Sequence, residues 1–150
     1  MKFSDISKEQ WDELRTYLDT CLLPVTGLAG SEAPHEAAEK LERLRDLLDL
    51  VEIPFKGRVV TYPAYHFIDD PLEAERLNRL CQRLKDEAGF RYLLVMSESV
   101  PLHTVNLPSA DLIVHVGSEG LSLDSAAVRL RIAGEVGAMW QTAKNLNPGV

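Results

Sequence analysis

The residues best suited to chemistry fall in three short polar clusters. Tyr62, Tyr65 and His66 form the first, and Ser97, Glu98 and Ser99 the second; Ser118 and Glu119, set between Gly117 and Gly120, form the third. Tyrosine and histidine can stack on a ring or hydrogen-bond to it. The two glutamates could bind sugar hydroxyls or serve as acid and base. Each cluster follows an apolar run of strand type. In open parallel sheets, ligands bind beyond the carboxyl ends of the strands. These eight residues are therefore the candidate ligand site, on the condition that the strands are parallel. The same logic predicts Tyr65 or His66, Glu98 and Glu119 along one sheet edge.

Other constellations are incomplete. The turn Gly117–Gly120 lacks the GK[ST] ending and the GxGxxG spacing of phosphate loops. His35, His66, His103 and His115 show no ligand spacing, and Cys21 and Cys81 belong to no CxxC, so neither a metal site nor a cofactor is expected. Asp69 and Asp70 could hold a divalent ion, but Asp70 is already explained as a helix cap. His115 alternates with Ile113 in an apolar run, which favours a packed histidine over a catalytic one. No serine lies in a GxSxG elbow. Asp19 and Thr20 read as the end of a first helix, where they could close the pocket or merely solvate the helix end.

The elements that must position these residues follow from periodicity. Ser7 and Gln10 make a capping box, and Trp11, Leu14, Leu18, Cys21 and Leu22 continue it as an amphipathic helix that Pro24 terminates. The stretch LPVTG, Leu23 to Gly27, matches the wall-sorting signal of Gram-positive surface proteins. It stands near the amino end with no export signal before it, so helix termination and a turn at Gly27 explain it better. Pro34 opens a second helix whose apolar stripe is Ala37, Leu41, Leu44, Leu48 and Val51. Arg58 to Phe67 reads as a strand running into a loop. Asp70, Pro71 and Glu73 begin a third helix, with Leu77, Cys81 and Leu84 on its apolar face and Gly89 at its end. Tyr92–Met96 and Leu112–Val116 are unbroken apolar runs, typical of strands covered on both faces. Asp124 opens a last helix to about Lys144, expected to pack through Ala127, Leu130, Gly134, Gly137 and Ala138. Both cysteines fall on predicted helix faces and read as buried free thiols.

Helices between apolar strands argue for parallel pairing with right-handed crossovers. The fold class expected is α/β: a small flavodoxin-like sandwich, with a three- or four-stranded mainly parallel sheet and helices on both faces. The 150 residues suit one domain, 1–150. The loop Glu98–Ala110 is long for its place. Its Leu102, Val105 and Leu107 could cover the core, present a patch to a partner or form an edge strand.

The formal charge is −7, concentrated in residues 1–75, where 16 Asp/Glu face 8 Lys/Arg. An acidic first half repels phosphate backbones, so nucleic acid is not an expected partner. No run of apolar residues is long enough to span a bilayer, so membrane insertion is not expected and the location expected is cytoplasmic.

The helix end YLDTCLLPV (Tyr17–Val25), the strand RVVTYPAYHF and the run ADLIVHV (Ala110–Val116) together resemble the YpiF-like family of small uncharacterised proteins from Bacillus relatives. The resemblance implies a cytoplasmic Firmicute protein of unknown function, and it brings no functional residues with it. The favoured expectation is a non-catalytic interaction or regulatory module, as a homodimer or with a protein partner. The alternative is an enzyme or sensor for a small nucleotide-like or sugar-like ligand at the carboxyl edge of the sheet.

Overall fold

The computed structural model describes residues 1–117 and 126–146. The elements are α1 (Lys8–Leu14), β1 (Thr20–Thr26), α2 (Pro34–Glu52), β2 (Val59–Thr61), β3 (Tyr65–His66), α3 (Glu73–Asp86), β4 (Tyr92–Ser97), β5 (Leu112–His115) and α4 (Ala126–Leu146). One sheet runs β2-β1-β4-β5, with β3 beside the far end of β1, and every pairing is parallel. The expected parallel α/β sandwich is therefore present, with five strands in place of three or four. Taking β2 and β3 as one interrupted strand, the order is consistent with the first four strands of a flavodoxin-like sheet.

The extra strand is β1, and it corrects the first expectation. The helix expected to reach Leu22 stops at Leu14, and Cys21 to Val25 form the buried centre of the sheet. The run CLLPV is apolar on both faces, which a helix with one solvent side would not bury. Alternate residues of β1 and β4 serve opposite faces. Leu22, Leu94 and Met96 pack under α2 and α4, while Cys21, Leu23, Val25, Leu93 and Val95 pack under α3.

Pro24, expected as a helix breaker, lies inside this central strand. A proline lacks the donor that a ladder needs. The partner edge supplies the reason it is tolerated. The Tyr62 N–H donates to Leu22 O at 2.9 Å and the Phe67 N–H to Thr26 O at 2.8 Å. Between them the neighbouring strand is broken at Tyr62–Ala64, where β2 ends and β3 has not begun. Pro24 shares the parity of Leu22 and Thr26, so its missing donor faces that gap. The predicted strand Arg58–Phe67 is accordingly two short strands.

Helix starts follow the sequence closely. Ser7 and Gln10 exchange both capping-box hydrogen bonds, at 2.9 and 3.2 Å, and Pro34 is the first residue of α2. Asp70 Oδ1 accepts the Leu72 N–H at 2.8 Å, but the helix itself begins later, at Glu73. Gly89, at φ 88°, turns the chain after α3.

The packing face expected of α4 is corrected, and of the three readings of the loop after β4 the structure keeps the first, that it covers the core. The buried face of α4 is Val128, Ile132, Val136 and Met139, not the small residues, and Leu130 is 74% exposed. The loop after β4 does not offer a patch. Val100, Leu102 and Leu107 are buried against Leu93 and Val95, where a crossover helix would otherwise lie. A single 3₁₀ turn, Leu102–Thr104, is its regular structure, so it is not an edge strand either. This apolar packing lets a loop make the crossover that keeps β5 parallel to β4. Both cysteines are buried and free, Cys81 on α3 as expected and Cys21 on β1 instead of a helix.

Candidate functional site

Parallel pairing brings the carboxyl ends of all five strands to one edge. The strand order reverses between β1 and β4, since β1 connects towards β2 and β4 towards β5. Such a reversal leaves a crevice between the two outgoing chains. Here it holds a cavity of about 470 Å³. One wall is the loop after β1, with Gly27 and Ala29. The second is the segment after β3, with Phe67, Asp69 and Asp70, closed by Ala74 of α3. The third is the loop after β4, with Val100, Pro101, Thr104 and Val105. A Cβ on Gly27 would stand 2.9 Å from Ser99 Oγ, so the glycine lets the β1 and β4 loops come together beside the cavity.

The sequence-expected residues have different fates. His66 is exposed, and its Nδ1 lies 2.5 Å from Thr26 Oγ1, which also accepts the Leu28 N–H at 3.4 Å. This pair sits where β3 meets the end of β1. Tyr65 donates its hydroxyl to Glu73, a carboxylate only 5% exposed that also lies 3.6 Å from Arg76. Burial, then the hydrogen bond to Glu73 and its charge, push the Tyr65 phenol up to about 12. Tyr65 is thereby an anchor between β3 and α3. Ser99 is exposed beside Gly27.

Ser97 is buried, and its Oγ accepts the Val100 N–H at 3.0 Å, which turns the chain out of β4. Tyr62 packs edge-on against Phe90 at 5.2 Å and lies near Phe3, in the cluster under α1. Its phenol is raised, chiefly by burial and then by Cys21. Glu98 is half-buried near His115. Ser118 and Glu119 lie outside the described residues. None of the six described candidates lines the crevice; His66 and Ser99 immediately precede the lining residues Phe67 and Val100 in the chain.

His115 forms a second feature of this edge. Its ring centroid is 5.4 Å from that of His103, on the loop that follows β4. Burial and then the His103 charge lower its pKa, Glu98 opposes them, and Arg131 adds to them. It is half-buried within the β5 end, consistent with a packed residue.

Two clusters escaped the sequence reading. In the loop after β1, Glu32 accepts the Ala29 N–H at 2.8 Å and the Gly30 N–H at 3.1 Å, and Lys40 lies 3.6 Å away. These bonds, that from Ala29 first, hold its carboxyl below the usual range. The spacing Gly27–Gly30–Glu32 was the available signal. The other cluster is at the opposite, amino edge. Arg58 donates to both Asp19 oxygens, at 3.0 and 3.2 Å, and its guanidinium lies 4.0 Å from the Trp140 ring centroid. Asp19 and Thr20 thus belong to a structural clasp at the edge opposite the crevice, with Thr20 buried at the start of β1, so neither the helix-end reading nor the pocket alternative describes them. Among the described residues, no group of three or more His, Cys, Asp or Glu is arranged to hold a metal ion. No described helix is long and apolar enough to cross a membrane.

These features define a doubly wound parallel α/β protein with a cavity at its topological switch point. The chain belongs to the DUF2487 family, whose model is described as a protein of unknown function and matches residues 9–115. The match takes in all five strands and stops before α4. Searches of curated proteins and of solved structures gave no match.

Proposed function

We propose that the protein binds a small, hydroxyl-rich molecule, neutral or cationic, in the crevice between the β1 and β4 ends. The observation that carries this reading is the cavity at the point where the strand order reverses. Its polar lining, Asp69, Asp70 and Thr104, offers acceptors and a hydroxyl, with the Thr26–His66 pair at the adjoining strand ends. Two acidic side chains disfavour an anionic guest. The backbone N–H groups of Ala29 and Gly30, which a phosphate would seek in the loop after the first strand, already serve Glu32. A sugar-like ligand therefore suits the lining better than a nucleotide-like one.

A thermal-shift screen of sugars, polyols and amines against nucleotides tests this directly. A ligand at a hundred times its dissociation constant stabilises by about 2.7 kcal/mol. Ala29→Trp should abolish the shift by filling the cavity from an exposed loop position. A shift produced by nucleotides and kept by Ala29→Trp would defeat the proposal.

A second reading is an interaction module. The loop after β4 lends it no support, because its apolar side chains are buried. The support that remains is exposed apolar surface on α2 and α4. The YpiF-like resemblance and a cytoplasmic, Firmicute setting accompany either reading and assign no chemistry.

A further inference from the structure

The loop that takes the place of a crossover helix after β4 carries a titratable group beside the crevice but outside its lining. His103 is the middle residue of the 3₁₀ turn Leu102–Thr104. Its ring lies 5.4 Å from that of His115 on β5, centroid to centroid, with the planes tilted by 36°. His103 is exposed and His115 half-buried. The neighbours of His103 in this turn, Pro101, Thr104 and Val105, form one wall of the crevice. A change of charge on the ring pair therefore acts directly behind that wall.

The fastening of the turn decides what such a change can do. Its hydrogen bonds close on themselves. The Leu102 N–H donates to Val100 O, the Thr104 N–H and hydroxyl both donate to Pro101 O, and the Val105 N–H donates to Leu102 O, at 2.7 to 3.0 Å. All of these survive if the turn moves as a unit. Among the described residues, packing holds it to the sheet: Leu102 is fully buried, Val105 partly, and His103 rests on His115. His115 is fixed, because it pairs with Ser97 in the β4–β5 ladder.

Neutral imidazoles pack as other ring pairs do. Charged ones repel, and imidazole is the side chain that gains its charge between about pH 7 and pH 5. The surroundings do not balance two protons. Glu98, at the end of β4, favours a positive charge on His115, whereas Arg131 of α4 opposes it. Arg131 is itself answered by Glu135 at 3.2 Å. With both rings protonated, one carboxylate thus faces two imidazolium ions. The element free to relieve the repulsion is the one outside the ladder, the turn.

We propose that His103 and His115 form a proton switch on the crevice wall: when both rings are charged, the turn tilts away from β5 about Leu102 and carries Pro101, Thr104 and Val105 with it. The switch does not depend on which ligand the crevice takes.

The test is NMR of the full chain, without ligand, at about pH 7.5 and about pH 5. The wild type should show a nuclear Overhauser contact between the two rings at the higher pH and lose it at the lower. The Leu102 and Val105 amide signals should shift with the protonation of His115. In His115→Gln, His103 still takes its proton but the opposing charge is gone, so those two amide shifts should vanish. His103→Gln, at an exposed position, should abolish them too and raise the midpoint at which His115 titrates. Circular dichroism checks folding, and if His115→Gln does not fold, the His103→Gln arm decides. A ring contact that survives at the lower pH overturns the inference. So does a lost contact with both amides unmoved, since His103 would then swing away alone, and so do folded variants whose turn responds as the wild type does.

Discussion

The indole Nε1 of Trp140 donates a 3.0 Å hydrogen bond to Thr20 Oγ1, joining residues 120 positions apart. It ties α4, which lies beyond the family match, to the first residue of the central strand. Thr20 is fully buried and donates its own hydroxyl to Asp19 Oδ1 at 3.0 Å, and Asp19 in turn holds Arg58 beneath the Trp140 ring. Phe55 packs edge-on against the same indole at 5.1 Å.

Trp140→Phe keeps most of the ring and removes the hydrogen bond, and it should cost about 1 kcal/mol. Trp140→Ala also removes the packing and the seat for Arg58, and should cost about 3 kcal/mol. Urea midpoints measure both. Equal midpoints for the wild type and the Ala variant would show that the clasp does not stabilise the fold.

Leu102→Ala should destabilise the protein by about 2–5 kcal/mol, the usual cost of emptying a fully buried leucine site. An exposed loop patch would predict almost no change. Denaturant titration of the single variant separates the two.

Neither thiol should react with an aromatic disulfide reagent while the protein is folded. Burial raises the Cys81 thiol to about 11 and pushes Cys21 higher still, so neither forms appreciable thiolate at neutral pH. Both should react on unfolding in denaturant. Rapid titration of one thiol in buffer would contradict the assigned burial.

Stability should fall as the pH drops below about 6.5, in part through His115. Its folded pKa is depressed, so between that value and the ordinary one the unfolded chain binds the extra proton. Stability is full above the unfolded pKa and declines as pH falls towards the folded one. The groups facing this ring are His103, Glu98 and Arg131. His115→Gln should flatten the slope between about pH 7 and pH 5. An unchanged slope would exclude His115 as a source.

The sequence spoke clearly wherever one face of an element meets water. The Ser7 box, Pro34 and the later part of the expected stripe, Leu44, Leu48 and Val51, are in place because solvent enforces a one-sided pattern, whereas Leu41 of that stripe is 42% exposed and Leu47 is buried beside it. It misled at Cys21–Val25, where burial on both faces erases the period and residues at three and four apart fit a helix equally well. Pro24 strengthened the error, since only the break in a strand some 40 residues later makes it acceptable there. The α4 face is legible in the spacing of Val128, Ile132, Val136 and Met139, with which the small residues Ala127, Gly134 and Ala138 compete as a second stripe that the fold leaves exposed. At the site, parallel strands bring the polar ends to one edge, as strand-end reasoning expected for Tyr65, His66 and Glu98. None of them lines the crevice itself, whose walls depend on how the loops pack between Gly27 and Ser99, and no spacing encodes that contact.

The break opposite Pro24 also divides the mechanics of that edge. β2 holds β1 over Thr20 to Leu22, whereas β3 holds it only at Val25 and Thr26. The wall formed by Phe67, Asp69 and Asp70 is carried by this shorter piece, with Tyr65 pinning it to Glu73. Local opening follows the weakest cooperative unit. Opening this wall would have to release the two ladder residues, the Tyr65–Glu73 and Thr26–His66 hydrogen bonds and the packing of Tyr65 and Phe67 on the core, but none of the β1–β2 or β1–β4 ladder. The wall of the crevice and the sheet beneath it are thus held by separate ladders.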